Sequence, residues 1–196
     1  MSSHYFAMLS RMKHINRWGL MRNTRQENLS EHSLETAFIA HALCVITNTR
    51  FGGTLDAQKA AVKAMFHDTS EIITGDLPTP IKYNNPEIKE AYKKIEESAS
   101  QHLINMLPED MRSVYSEIYA ESDELKKILR AADKISALIK CIEERRMGND
   151  EFAVAEKSTE AAIRELGLPA ADVFLEEFLP SAPIRAPSDR KAPAEH

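Results

Sequence analysis

From the N-terminus to about residue 179, apolar residues recur at the three-to-four-residue spacing of amphipathic helices, and no stretch shows the sustained alternation and β-branched enrichment of a strand. The pattern predicts an all-α chain. A short first helix carries Tyr5, Met8, Leu9 and Met12 on one face and gives way to a polar connection from Asn23 to Glu31. A second helix runs from near Ser30 with Leu34, Ala37, Phe38, His41, Ala42 and Val45 as its buried stripe, His41 being read as a core histidine, and breaks at Phe51-Gly52-Gly53. Asp56 is a good N-cap for a third helix bearing Ala60, Ala61, Ala64, Met65 and Asp68, which stops near Gly75.

The next residues, Asp76-Leu77-Pro78-Thr79-Pro80, read as a stiff loop, because each proline lacks a donor and biases its predecessor toward extended geometry. Asn85-Pro86 has the form of an N-cap and first helical residue. The long helix it opens has Ile88, Tyr92, Ile95, Ala99, His102, Leu103 and Met106 on one side, ends at Pro108, and is followed by a shorter helix to about Ala120. Ser122 is expected to cap the most periodic segment, with Leu125, Ile128, Leu129, Ala132, Ile135, Ile139 and Ile142 inward, ending at Gly148. A helix from about Glu151 to Leu166 and a short last one ending at Pro180 complete the pattern.

Composition narrows the class. The chain has 196 residues, enough for one domain with a substantial core, expected here over residues 1–180. Residues 181–196, with Pro183, Pro187 and Pro193 among small and charged residues, have little to bury and are expected to form a disordered tail. A formal charge of −5 with no long basic block speaks against a nucleic-acid polymer as partner, while a small anion needs only a local cationic site. No apolar run approaches the roughly 18 residues needed to span a membrane, so a cytoplasmic protein is expected. Cys44 and Cys141 lie in apolar helical patterns and read as buried thiols. Helical faces wide enough to leave apolar surface suggest a homodimer.

Candidate chemistry centres on His67-Asp68, an imidazole and a carboxylate adjacent in a segment otherwise buried by Ala64, Met65 and Ile72. Adjacent helical positions are about 100° apart, so both side chains can grip one cation from neighbouring directions. Alone, the pair fits a capped, hydrogen-bonded structural role better than ligation. His32, in the first turn of its helix, and Asp133, beside Ala132 and a turn from Leu129, have structural readings of their own as a helix-start histidine and a lysine partner. Together the four supply two imidazoles and two carboxylates, a donor set suited to Co2+, Mn2+, Zn2+ or Fe2+.

The order His, His-Asp, distant Asp is similar to that of the HD-domain metal-dependent phosphohydrolases. Within them, Leu9-Ser10-Arg11 with Ile15-Asn16-Arg17-Trp18, the stretch Asn28 to Leu34 (NLSEHSL) and the stretch His67 to Pro80 (HDTSEIITGDLPTP) strongly resemble the bacterial 5′-deoxynucleotidases. The likeness continues more loosely through Ala132-Asp133 and Ile139-Lys140-Cys141 to Phe178-Leu179-Pro180. It implies a single HD-domain helical bundle with one divalent metal, Co2+ or Mn2+ ahead of Zn2+ or Fe2+, bound by His32, His67, Asp68 and Asp133. It assigns catalysis to Glu71 and Arg17. Substrate contacts fall to Arg17 and Trp18, to Asp76, Leu77, Pro78 and Thr79 of the loop, and to the ligands His32, Asp68 and Asp133. Glu71 lies one turn past Asp68, within reach of a metal-held water.

The activity so implied is hydrolysis of 2′-deoxyribonucleoside 5′-monophosphates to deoxynucleoside and phosphate. Two rivals stay open at the level of sequence. One is an HD phosphodiesterase or a hydrolase of an alarmone or nucleoside triphosphate. The other is a regulatory module that binds nucleotide without turnover, which would be expected to lack a ligand or Glu71.

Overall fold

The computed structural model describes residues 3–82, 85–120 and 122–179; the expected tail lies outside the described residues. In chain order come α1 (Tyr5–Leu9), α2 (Leu29–Phe51), α3 (Ala57–Phe66), α4 (Glu71–Thr74) and α5 (Thr79–Lys82). They are followed by α6 (Pro86–Asn105), α7 (Glu109–Tyr119), α8 (Lys126–Arg146), α9 (Ala153–Arg164) and α10 (Pro169–Glu177). Tight 3₁₀ turns follow α1 (Ser10–His14) and precede α9 (Asp150–Phe152). Among the described residues there is no strand, and only one antiparallel bridge, between Asn16 and Asn28. No helix among them is long and apolar enough to cross a membrane.

Helix ends follow local chemistry. The Asn28 side chain accepts from the N–H groups of Ser30 and Glu31 while Glu31 reaches back to the Asn28 N–H, a reciprocal cap of the kind that contributes about 1 kcal/mol. Asp56 and Asn85 cap α3 and α6 one way only, accepting from the Lys59 and Ile88 N–H groups. Gly52 closes α2 at φ 69°, a conformation that side chains with a Cβ rarely adopt.

The central element is α2, which packs on α3, α8 and α10. Leu43 and Cys44 of α2 meet Ile128, Ile135 and Leu138 of α8 and Ile163 of α9 in the main core. Each buried aliphatic chain there contributes about 1.5–3 kcal/mol by leaving water. A smaller core joins Tyr5 to Leu103 and Leu107.

Several expectations need correction. The face that α2 buries is Leu29, His32, Ser33, Thr36, Ala37, Ile39, Ala40, Leu43, Cys44 and Ile46, whereas Leu34, Phe38 and Val45 are exposed. His41 is exposed as well, so it is not a core histidine. The cause is that α2 is apolar nearly all round, and its several neighbours choose the phase. The third helix is interrupted: α3 ends at Phe66, a turn carries His67 to Ser70, and Glu71 opens α4. Ile88 and Ile95 are largely exposed on α6, whose buried side is Tyr92, Ala99, Leu103 and Ile104. Finally, Ser122 accepts from the Leu125 N–H in a turn, and α8 starts only at Lys126.

One long connection, residues 15–28, is a strap laid across the bundle. Its far side is pinned to α8 by Glu144, a buried carboxylate that accepts from the Thr24 N–H and hydroxyl, the Arg25 N–H, Asn149 Nδ2 and Lys140 Nζ. Lys140 Nζ also donates to the Arg25 carbonyl and Asn149 Nδ2 to the Arg22 carbonyl, at 2.5 and 2.7 Å. The fixed strap presents Arg17 and Trp18 toward the helices.

Candidate metal and phosphate site

His32 projects from the first turn of α2, His67 and Asp68 from the turn after α3, and Asp133 from the second turn of α8. Their tips converge. His32 Nε2 is 3.5 Å from Asp68 Oδ2 and 3.2 Å from Asp133 Oδ1. His67 Nε2 is 3.1 Å from Asp68 Oδ2 and 4.0 Å from Asp133 Oδ1. One ligand atom each from His32, His67 and Asp68 falls within 4.8 Å of the others.

Each imidazole is held by its opposite nitrogen. His67 Nδ1 lies 2.7 Å from the Ala64 carbonyl, which can only accept, so Nδ1 carries the proton. The Ser136 hydroxyl donates to Glu35 Oε2 at 2.6 Å, so its oxygen is left to accept from His32 Nδ1 at 3.0 Å. In the neutral form of each ring the lone pair is therefore on Nε2, facing the carboxylates, and both Nε2 atoms are buried without a hydrogen-bond partner. Two orphaned imidazole nitrogens beside two carboxylates fit a divalent cation of the N/O-liganded type.

The electrostatics agree. Burial pulls the His67 imidazole down, but Asp68 and Asp133 outweigh it and push its pKa up to about 9, so that without a cation the cluster retains a proton. Burial acts upward on Asp68, and His67, His32 and Arg17 overcome it, holding the carboxyl well below its ordinary range. Asp133 ends at about 2, burial again being outweighed by the two histidines.

Arg17 reaches this cluster from the strap, with Nη1 3.2 Å from Asp68 Oδ2 and Nε 3.4 Å from Glu27 Oε2. Trp18 Nε1 donates to the same Glu27 oxygen at 2.9 Å, and its ring packs on Phe152 at a centroid distance of 5.2 Å. Trp18 is the one non-glycine residue among those described with a positive φ, 60°. Glu71 is buried, with Oε2 unpartnered. Burial, then Asp68 and Asp76, push its pKa up to about 9 against Lys82 and Arg17.

Asp76 lies near enough to act on Arg17 and Glu71 through its charge. Leu77 and Pro78 are half-buried between α4 and α5, and Thr79 is the first residue of α5 rather than part of the loop. Glu27, Glu35 and Ser136 were not among the sequence candidates. The last two sit one turn beyond His32 and Asp133, a spacing that marks them as polar exceptions on helical faces. Glu27 has no such signal.

Comparison with known proteins gives the family and the fold. Residues 4–182 match the family model described as 5′-deoxynucleotidase YfbR-like. A 5′-deoxynucleotidase of Vibrio vulnificus is 50% identical over 182 residues, 91% of this chain and 94% of the relative. The 5′-deoxynucleotidase YfbR of Escherichia coli is 49% identical over 91% of this chain and 92% of its own. An HD-domain phosphohydrolase structure from Listeria innocua superposes with TM-score 0.80 at 27% identity, covering 90% of this chain and 86% of its own. In fold alone, the cyanophage S-2L HD phosphohydrolase DatZ, solved with dA and one catalytic Zn2+ ion, matches with TM-score 0.64 at 18% identity, over 91% of this chain and 97% of its own.

Proposed function

This chain belongs to the 5′-deoxynucleotidase YfbR-like family of HD-domain phosphohydrolases, and we propose on that premise that it hydrolyses 2′-deoxyribonucleoside 5′-monophosphates at the His32, His67, Asp68 and Asp133 cluster. The observation that carries the reading is the pair of buried, unpartnered Nε2 atoms facing Asp68, with the Arg17 guanidinium on the same carboxylate. His32, His67, Asp68 and Asp133 would hold one divalent cation, with Co2+ or Mn2+ favoured over Zn2+ or Fe2+. When bound, the cation supplies Lewis acidity and lowers the pKa of water.

The chain's own groups do the rest. Arg17, anchored between Asp68 and Glu27, offers its guanidinium to the phosphate oxygens and offsets their charge as the P–O bond breaks. Glu71, whose pKa burial and the Asp68 and Asp76 carboxylates raise in the metal-free chain, is the group placed to exchange a proton with the attacking water or the departing 5′-oxygen. Trp18 presents an apolar wall to the sugar. A pocket rejects an extra hydroxyl only weakly unless such a wall stands against it. Asp76 and the Leu77-Pro78-Thr79 segment complete the sugar side.

Exposed Leu34, Phe38 and Val45 along α2 support a homodimer built on that row, and the buried, reduced thiols are in keeping with a cytoplasmic enzyme. The test of the activity is phosphate release from matched deoxy- and ribonucleoside monophosphates, a cyclic dinucleotide and a nucleoside triphosphate, after chelation and re-addition of Co2+, Mn2+, Zn2+ or Mg2+. Release from deoxynucleoside monophosphates, abolished by chelation and restored by metal, is expected. Activity that survives complete chelation overturns the metal assignment.

A further inference from the structure

We propose that Glu27 is a positioning residue that locks the Trp18 wall and the Arg17 cation into one rigid piece, and thereby sets the discrimination between deoxyribo- and ribonucleotides. The proposal rests on the preceding reading of Trp18 and Arg17 as substrate contacts. One carboxylate oxygen, Glu27 Oε2, takes the indole N–H at 2.9 Å and lies 3.4 Å from the Arg17 Nε. The side chain is only 12% exposed, so both interactions are shielded from competing water.

Glu27 is itself held from both sides. Its carbonyl accepts from the Arg17 N–H at 2.9 Å. The next residue, Asn28, is bridged to Asn16 and caps α2, the helix that carries His32. The position of the carboxylate is thus referred directly to the metal-side helix.

The wall needs this support. An indole lying against one aromatic ring can slide or turn over on it, and the indole has a single polar atom, Nε1, by which its orientation can be fixed. Its backbone is also in an uncommon conformation, at φ 60°, which costs energy and persists only when surrounding contacts over-determine it. The Trp18 carbonyl accepts from the Met21 N–H at 2.9 Å, which fixes the backbone, and Glu27 fixes the ring. Because a hydroxyl adds little bulk, a wall free to shift by about an ångström would no longer exclude it. On the other side, Arg17 is bracketed by Asp68 and Glu27, so the same carboxylate sets the angle at which the phosphate is met.

The test compares Glu27→Ala, Glu27→Gln, Trp18→Phe and the Glu27→Ala/Trp18→Phe double variant. Readouts are kcat and KM for dAMP and AMP with the metal-loaded enzyme, and the emission and acrylamide quenching of Trp18, the only tryptophan in the chain. Glu27→Ala is expected to lower the dAMP/AMP ratio of kcat/KM about tenfold, as loss of a shielded hydrogen bond to a charge implies, and to red-shift the emission and increase its quenching. Trp18→Phe, which keeps a ring but cannot donate, should lower the ratio comparably, and the double variant no further. Glu27→Gln keeps an acceptor for the indole and loses the charge beside Arg17, so it should preserve the ratio and emission while raising KM for both nucleotides.

A Glu27→Ala enzyme whose ratio and emission stay at the wild-type values overturns the proposal, as do single effects that add in the double variant. Wild-type enzyme with no preference for dAMP over AMP overturns instead the assignment of Trp18 as the sugar wall. In that case the emission decides the lock by itself: an unchanged spectrum in Glu27→Ala removes it.

Discussion

A single stripe of α8 carries Asp133, Ser136, Lys140 and Glu144, and it serves two buried polar clusters of opposite character. At the Glu144 end every charge is answered: Lys140, Asn149, Thr24 and Arg25 donate to the carboxylate, and Lys140 spends a further proton on the Arg25 carbonyl. At the Asp133 end two imidazole nitrogens and the Glu71 Oε2 are left without partners. Buried polar atoms are almost always paired, so an unpaired group needs a reason. The closed cluster fastens the strap; the open one is arranged for something that arrives.

The sharpest break of this contrast lies at Glu71. Glu71→Gln should lower turnover by about two to four powers of ten if the residue transfers a proton, with metal content by atomic spectroscopy unchanged. Unaltered turnover would remove Glu71 from the chemistry. If Glu71 acts as the acid, the wild-type rate should fall on the alkaline side of its pKa in the loaded enzyme, and the residual rate of Glu71→Gln should lack that limb.

Next in size is Glu144→Ala. Removing one member of a buried ionic pair typically costs about 3–5 kcal/mol because it leaves the other charge unanswered. Urea unfolding should show a correspondingly lower midpoint, while kcat per folded molecule falls far less than in the Glu71 variant. A small stability change combined with a collapse of kcat would place Glu144 in the open cluster's chemistry instead.

The smallest effect, and the most discriminating, is the pH dependence of stability in chelated protein, where Glu144 acts with one sign and His67 and Glu71 with the other. Burial alone would raise the Glu144 pKa, but Lys140, Asn149 and Thr24 hold it below the ordinary 4.5. Its contribution is present above 4.5 and is lost as pH falls toward the depressed folded value. His67 and Glu71 instead bind protons more tightly folded than unfolded. The His67 contribution is full below 6.5 and disappears as pH rises through about 9. For Glu71, stability falls from pH 4.5 to about 9 as the unfolded chain ionises first. Melting temperature should therefore decline toward alkaline pH in the chelated enzyme. Glu71→Gln should reduce that decline, and Glu144→Gln should reduce only the acid limb, which Asp68 and Asp133 share.

The helical class and most boundaries were legible because caps and breakers act locally: Asp56, Asn85-Pro86 and Gly52 do what their chemistry dictates wherever they stand. What periodicity could not supply was the phase of α2, since a helix apolar on most sides is oriented by its neighbours. Nor could it show the break after Phe66, because Thr69 and Ser70 are compatible with either a helix or a turn. The residues His32, His67, Asp68, Asp133, Arg17 and Glu71 stood out through a resemblance in long motifs, and the structure brings their side chains together. Glu27 did not stand out, because it is defined by partners that only folding places beside it, and Ser136 is marked only as a polar residue one turn beyond Asp133.

Cys44 of the main core and Cys141 on α8 are both fully buried, and burial pushes their thiols up to about 11 and about 12. Thiolates are the species that alkylating reagents consume, and here the folded chain supplies almost none. The two sulfurs are thus a built-in stopwatch. Under native conditions, iodoacetamide should modify them only as fast as the core around α2 and α8 comes apart, so labelling followed by mass spectrometry reads the opening of the molecule without a probe or a substrate.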